Sequence, residues 1–151
     1  MYAPAGVDAV FFDGARELPH FDPDLDGEAL PTRVAALRAE VHRAHALLFS
    51  TPEYAGALPG SFKNVLDWLI GDDKSGSIYE KPVAWINASP RGAVEAHESL
   101  RLVLSYAHAR IVDTACVDVA VTQADVGGDG LVGDPAARER IAYAIAQLAA
   151  A

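Results

Sequence analysis

Two short apolar runs without a polar break, Ala46-Leu47-Leu48-Phe49 and Val83-Ala84-Trp85-Ile86, constrain the fold more than any other feature of this chain. Neither run has a polar side to turn to water, so each reads as a strand covered on both faces, the pattern of a parallel sheet held between helices. Helical stripes separate them. Leu30, Val34, Leu37 and Val41 trace one; Phe62, Val65, Leu66 and Leu69 a second; Leu100, Val103, Leu104 and Ala107 a third; Ile141, Ile145 and Leu148 the last. Val10-Phe11-Phe12 reads as a further strand, and alternation from Ile111 to Val121 as another with one less apolar face. Strands alternating with helices imply an α/β domain with right-handed crossovers. With 151 residues, 51% apolar content, no internal repeat and no linker, residues 1–151 are expected to form a single domain.

Each unbroken run ends in a loop of unusual composition. The first continues as Thr51-Pro52-Glu53-Tyr54-Ala55-Gly56-Ala57-Leu58-Pro59-Gly60. Pro52 and Pro59 fix φ, while Gly56 and Gly60 permit positive φ or close backbone approach. Such a loop can offer main-chain amides to a flat ligand at a strand's carboxyl end, which is where open parallel sheets bind. A helix is expected to start near Leu58 or Pro59, with Lys63, Asn64, Asp67 and Trp68 interleaved among its apolar positions. The second run continues as Asn87-Ala88-Ser89-Pro90-Arg91-Gly92, a strand-to-helix turn with one arginine.

The combination Thr-Pro-Glu-Tyr, Gly, Pro-Gly and Lys-Asn-x-x-Asp-Trp resembles the NADPH-dependent FMN reductases and their quinone-, azo- and chromate-reducing relatives. The resemblance runs from about Val7 to the last helix and implies a flavodoxin-like parallel sheet with helices on both faces. It further implies FMN as cofactor, NADPH or NADH as co-substrate, a small-molecule electron acceptor, and a homodimer or homotetramer. Carried over residue by residue, the first ring-binding loop corresponds to Pro52, Glu53, Tyr54, Ala55 and Gly56, and the second to Ser89, Pro90, Arg91 and Gly92. Arg91 can offer a fork of donors to a phosphate or a flavin carbonyl. The helix carrying Trp68, Asn64 and Asp67 is expected at a subunit contact beside the flavin. Ala55 departs from the pattern, since the family usually has Asn there. Hydride chemistry belongs to the cofactor, so no catalytic side chain is singled out.

The family's opening strand and Gly-Ser-rich phosphate loop have no counterpart here, which marks the chain as N-terminally truncated relative to the family. In a sheet ordered 2-1-3-4-5 that strand lies in the middle. Three arrangements address the vacancy: a longer gene product, direct pairing of Val10-Phe11-Phe12 with Leu47-Leu48, or a strand from a neighbouring subunit. A truncated start is favoured. The rival functional reading is a degenerate flavodoxin-like domain that binds no flavin and acts in protein interaction.

The remaining features mainly exclude. A formal charge of -9 argues against nucleic acid as a partner. No apolar run reaches the roughly 20 residues of a membrane span, and no signal peptide is evident, so cytoplasmic localisation is expected. Cys116, the single cysteine, reads as a small core residue. His42 and His45 share a predicted helix without other ligands, so no metal is expected. Asp72-Asp73-Lys74-Ser75-Gly76-Ser77 reads as a polar connection, and Gly127-Gly128-Asp129-Gly130 as a turn before a helix capped by Asp134 with Pro135 in its first turn. Residues 13–31 form a long excursion expected to border the crevice or a subunit contact. Trp85 is assigned to the core.

Overall fold

The structure, a computed structural model, describes residues 3–70 and 77–151. The polar connection assigned to residues 72–77 lies outside the described residues except for Ser77. Among the described residues, α1 (Thr32–Arg43) leads to β1 (Leu47–Phe49), α2 (Gly60–Leu69), β2 (Pro82–Asn87) and α3 (Val94–Tyr106). Then follow β3 (Arg110–Ile111), β4 (Val117–Asp118) and α4 (Pro135–Ala149). The described strands pair in parallel. β1 lies against β2 with Leu47 opposite Val83 and Phe49 opposite Trp85, and the other edge of β2 takes β3 and then β4.

β2 shows why its sequence lacks a polar face. Val83 and Trp85 project into a core with Val34, Leu37 and Val41 of α1, Val65, Leu66 and Leu69 of α2, and Leu100 and Leu104 of α3. Its alternate residues Ala84 and Ile86 face the opposite side, where α4 brings Leu148, Ala137 and Ala144. Successive strand residues point to opposite faces, so both sets must be apolar. Helices therefore cover both faces of the sheet, as the apolar runs imply. Asp134 caps α4 as expected, its carboxylate accepting from the amides of Ala136 and Ala137 at 3.3 and 2.9 Å.

Several expectations need correction. Val10-Phe11-Phe12 forms no strand: Val10 is 73% and Phe11 79% exposed, and neither pairs with β1. Only Phe12 packs on the core. Its ring folds back over Gly14, where a Cβ would stand 2.8 Å away, and a 3-10 turn (Gly14–Glu17) follows at once. The segment from Ile111 to Val121 is not one strand either. The chain leaves the ladder for a 3-10 turn (Asp113–Ala115) that seats Ala115 against Ala84 and Leu148, then rejoins β2 at Val117. His45 lies beyond the end of α1, so it does not share a helical face with His42.

Cys116 packs beside this turn, with its Sγ 3.5 Å from the Val112 carbonyl. Burial pushes its thiol above the ordinary value, which suits a packing residue better than a nucleophile. The glycine run closes a small hairpin, with the Gly127 amide donating to the Leu131 carbonyl at 2.8 Å and Val126 bridging Val132. No described helix is long and apolar enough to cross a membrane.

Candidate functional site

The carboxyl ends of β1 and β2, adjacent parallel strands, open into one cleft of about 860 Å³. That volume suits a cofactor-sized ligand. Pro52, Glu53 and Tyr54 form one wall with Ser50 and Thr51; Ser89, Pro90 and Arg91 form the other with Ala88 and Ala93. The two loops singled out in the sequence thus face each other. Ala55, Gly56 and Gly92 are not among the lining residues; they shape the bends behind the walls.

The first wall is set by a tight turn. The Tyr54 amide donates to the Ala57 carbonyl at 3.1 Å and the Ala57 amide to the Tyr54 carbonyl at 3.1 Å, while Ala55 and Gly56 hold φ values of 53° and 68°. Positive φ at both central residues defines a type I′ turn, for which Asn-Gly is the preferred pair. This gives the position of Ala55 a conformational meaning that the sequence did not reveal. An Asn there tolerates the left-handed region, whereas a methyl side chain is strained in it. Replacing Ala55 with Asn or Gly is expected to raise stability by about 0.5–1 kcal/mol. Urea unfolding should show a higher midpoint with an unchanged slope. Within this turn the Tyr54 amide is already engaged. The amides of Glu53, Ala55 and Gly56 donate to no group among the described residues. Tyr54 itself is 66% exposed.

The second wall is held by Asn87, a buried residue at the end of β2 that sequence reasoning did not single out. Its Nδ2 donates to the Gly92 carbonyl and, at 2.9 Å, to Asp118 Oδ1 of β4; its Oδ1 accepts from the Ser89 amide at 3.1 Å. Both donors and the acceptor of this side chain are therefore engaged. The Ser89 hydroxyl accepts from the Arg91 amide at 3.2 Å, which fixes the backbone from which Arg91 projects. The Arg91 side chain is exposed and makes no ion pair or hydrogen bond among the described residues. Ala93 closes the loop in the left-handed region with φ 46°, and its carbonyl accepts from His97 through both the amide, at 3.3 Å, and Nδ1, at 2.8 Å. Nδ1 therefore carries a proton, and Nε2 is buried near Trp85 with no hydrogen-bond partner among the described residues.

Trp68 is not at a surface. It is fully buried, and its indole Nε1 donates to the Pro19 carbonyl at 2.9 Å. Asn64 donates to the same carbonyl at 2.9 Å and accepts from the Phe21 amide at 2.7 Å, while Asp67 pairs with Lys63 on its own helix. The excursion of residues 13–31 therefore lies over α2 as a strap and contributes no lining residue to the cleft. Arg38 fastens it further, bonding the Trp68 carbonyl at 2.9 Å and Asp26 at 2.8 Å.

Comparison with known proteins bears on the same loops. The pattern that defines NADPH-dependent FMN reductases matches residues 1–123, which include both walls of the cleft. The chain belongs to the NADPH-dependent FMN reductase family. A quinone reductase of Pseudomonas putida is 33% identical over 116 residues, covering 74% of this chain and 58% of the relative. An NAD(P)H-dependent FMN reductase of Pseudomonas aeruginosa is 29% identical over 126 residues, covering 82% of this chain and 68% of the relative. The chain thus spans little more than half the length of the first of these reductases. Among solved structures, the flavoenzyme NAD(P)H:(acceptor) oxidoreductase FerB of Paracoccus denitrificans superposes with a TM-score of 0.74 at 25% identity, covering 90% of this chain and 78% of that one. The fold of this FMN reductase family member is accordingly flavodoxin-like, with the cleft at the carboxyl ends of its parallel strands.

Proposed function

We propose that this chain holds the ring of FMN between the two loops and serves an NAD(P)H-dependent oxidoreductase that reduces a flavin, a quinone or a similar small acceptor. The observation that carries this reading is the pairing of two rigid loops across one cleft, with the amides of Glu53 on the first wall and of Ala55 and Gly56 in the bend behind it donating to no group among the described residues. The residues fit a flat, electron-accepting ring. Pro52, Tyr54, Ala88, Pro90 and Ala93 offer largely apolar walls, and Arg91 supplies a cation whose side chain has no competing partner among the described residues. FMN, when bound, supplies the hydride chemistry between a nicotinamide and the final acceptor. The chain's own contribution is to orient the ring, to exclude water from its faces, and to hold donors where negative charge collects on reduction.

NADPH or NADH is the proposed donor, supported by the names of the similar proteins. Arg91, the basic side chain of the cleft, can meet an anionic part of either the cofactor or the dinucleotide. A homodimer or homotetramer is proposed as the assembly, although Trp68 gives it no support now that its partners lie within the chain. Val94, Leu102 and Tyr106, exposed along α3, are the apolar residues that favour it. The acidic sum of -9 supports the absence of nucleic acid, and a cytoplasmic site of action completes the reading.

Purified protein should quench the fluorescence of added FMN with a saturable curve. It should then oxidise NADPH in the presence of FMN and a quinone. Protein that leaves flavin fluorescence unchanged at every concentration would refer the fold to a non-redox role.

A further inference from the structure

Glu53 stands in the first loop, yet its side chain belongs to the second. Its Oε2 accepts from the backbone amide of Ala96 at 3.1 Å, across 43 residues of sequence. Ala96 is the third residue of α3, and the first four amides of a helix lack intrahelical acceptors. The helix cannot supply a cap of its own, because the residue before it, Ala93, has only a methyl group and sits at φ 46°. The carbonyl that would follow the helical pattern back from Ala96, that of Gly92, is taken by Asn87. A carboxylate from the opposite wall fills the position instead, where the helix dipole favours negative charge and a charged acceptor strengthens the bond.

The neighbours of this bond turn it into a device for setting the cleft. Pro52 restricts the backbone just before Glu53, and the paired Tyr54–Ala57 turn stiffens the chain just after it. On the other side, Asn87 ties the Ser89–Gly92 turn to β4. Each wall is therefore rigid within itself, and the Glu53–Ala96 bond is the direct hydrogen bond between them among the described residues. We infer that Glu53 is a positioning residue: its carboxylate latches the first loop to the start of α3 and so sets the width of the cleft for the ring. Its side chain holds the walls and does not contact the ligand. This inference rests on the flavin reading.

Amide exchange and flavin titration on wild type, Glu53→Ala and Glu53→Gln test it. In ligand-free protein, Ala96 should exchange about tenfold faster in Glu53→Ala, the factor that corresponds to about 1.4 kcal/mol. Glu53→Gln keeps an acceptor oxygen at the same reach and should restore most of the protection. FMN affinity should follow the same order, falling about tenfold in the alanine variant and about threefold or less in the glutamine variant, at about 1.4 kcal/mol per tenfold. Unchanged Ala96 exchange in Glu53→Ala overturns the latch. Faster exchange with unchanged FMN affinity overturns its positioning role. If wild type binds no flavin, the functional reading fails and the positioning role with it, while Ala96 exchange still reports separately whether the latch exists.

Discussion

Replacing Trp68 with alanine is expected to remove about 3–5 kcal/mol of stability, the range for truncating a large buried aromatic residue. For a chain of this size that corresponds to a fall of roughly 6–20 °C in the unfolding midpoint. Two losses combine. The cavity left among the α1 and α2 core residues cannot close without moving the sheet, and the Pro19 carbonyl loses the indole donor at 2.9 Å. Phe21, whose ring meets the indole edge to face at a centroid distance of 4.9 Å, loses its partner as well. The strap of residues 13–31 should therefore loosen, and limited proteolysis should cut near Pro19 in the variant before the wild type. Trp68→Phe retains most of the volume and leaves Asn64 on the Pro19 carbonyl, so its cost should be much smaller. A Trp68→Ala protein that unfolds like wild type but changes its association state would return this tryptophan to the subunit interface that the sequence suggests.

Asn87→Ala should have the largest effect on the site itself. The substitution strips partners from the Ser89 amide and the Gly92 carbonyl in a part-buried position, at about 1–3 kcal/mol for each group left unsatisfied and unreached by water. The stability loss should reach about 2–4 kcal/mol, and the second wall should lose its tie to β4. FMN affinity should then fall well below that of wild type even at temperatures where the variant is fully folded. Asp118→Ala is the discriminating control. It removes one exposed acceptor and keeps both loop bonds of Asn87, so its effect should stay near 1 kcal/mol or less. Equal effects of the two substitutions would show that the loop bonds contribute little. Both measurements follow from one denaturant series and one flavin titration.

These residues also mark what could be seen in the sequence. The runs ending at Phe49 and Ile86 are legible because a strand covered on both faces has no polar residue to disguise it, and the loops after them stand out through Pro52, Gly56, Pro90 and Gly92. The Asp134–Pro135 helix start is legible because capping is a local interaction. What failed depended on partners far along the chain. Trp68 is apolar in either environment, and only the carbonyl of Pro19 tells its inward position from an interface. Glu53 carries no sign that its acceptor role lies at Ala96. Val10-Phe11-Phe12 has the composition of a strand, but a strand exists only where an edge accepts it, and the fold turns away at Gly14 instead. The alternation from Ile111 to Val121 continues through a 3-10 turn whose cause is the close seat of Ala115 beside Leu148. Ala55 is a different case. The residue type was noticed, but its significance is a positive φ that the sequence alone does not state.

The central claim, that the two loops form one ring-binding cleft, is tested most directly by following backbone amide signals of isotope-labelled protein as FMN is added. The largest saturable shifts should fall at Glu53, Ala55, Gly56, Ser89 and Arg91, with Ala144 and Leu148 of α4 unmoved. Saturable shifts gathered elsewhere while residues 53–56 and 89–91 stay still, or no shift at any FMN concentration, contradict it.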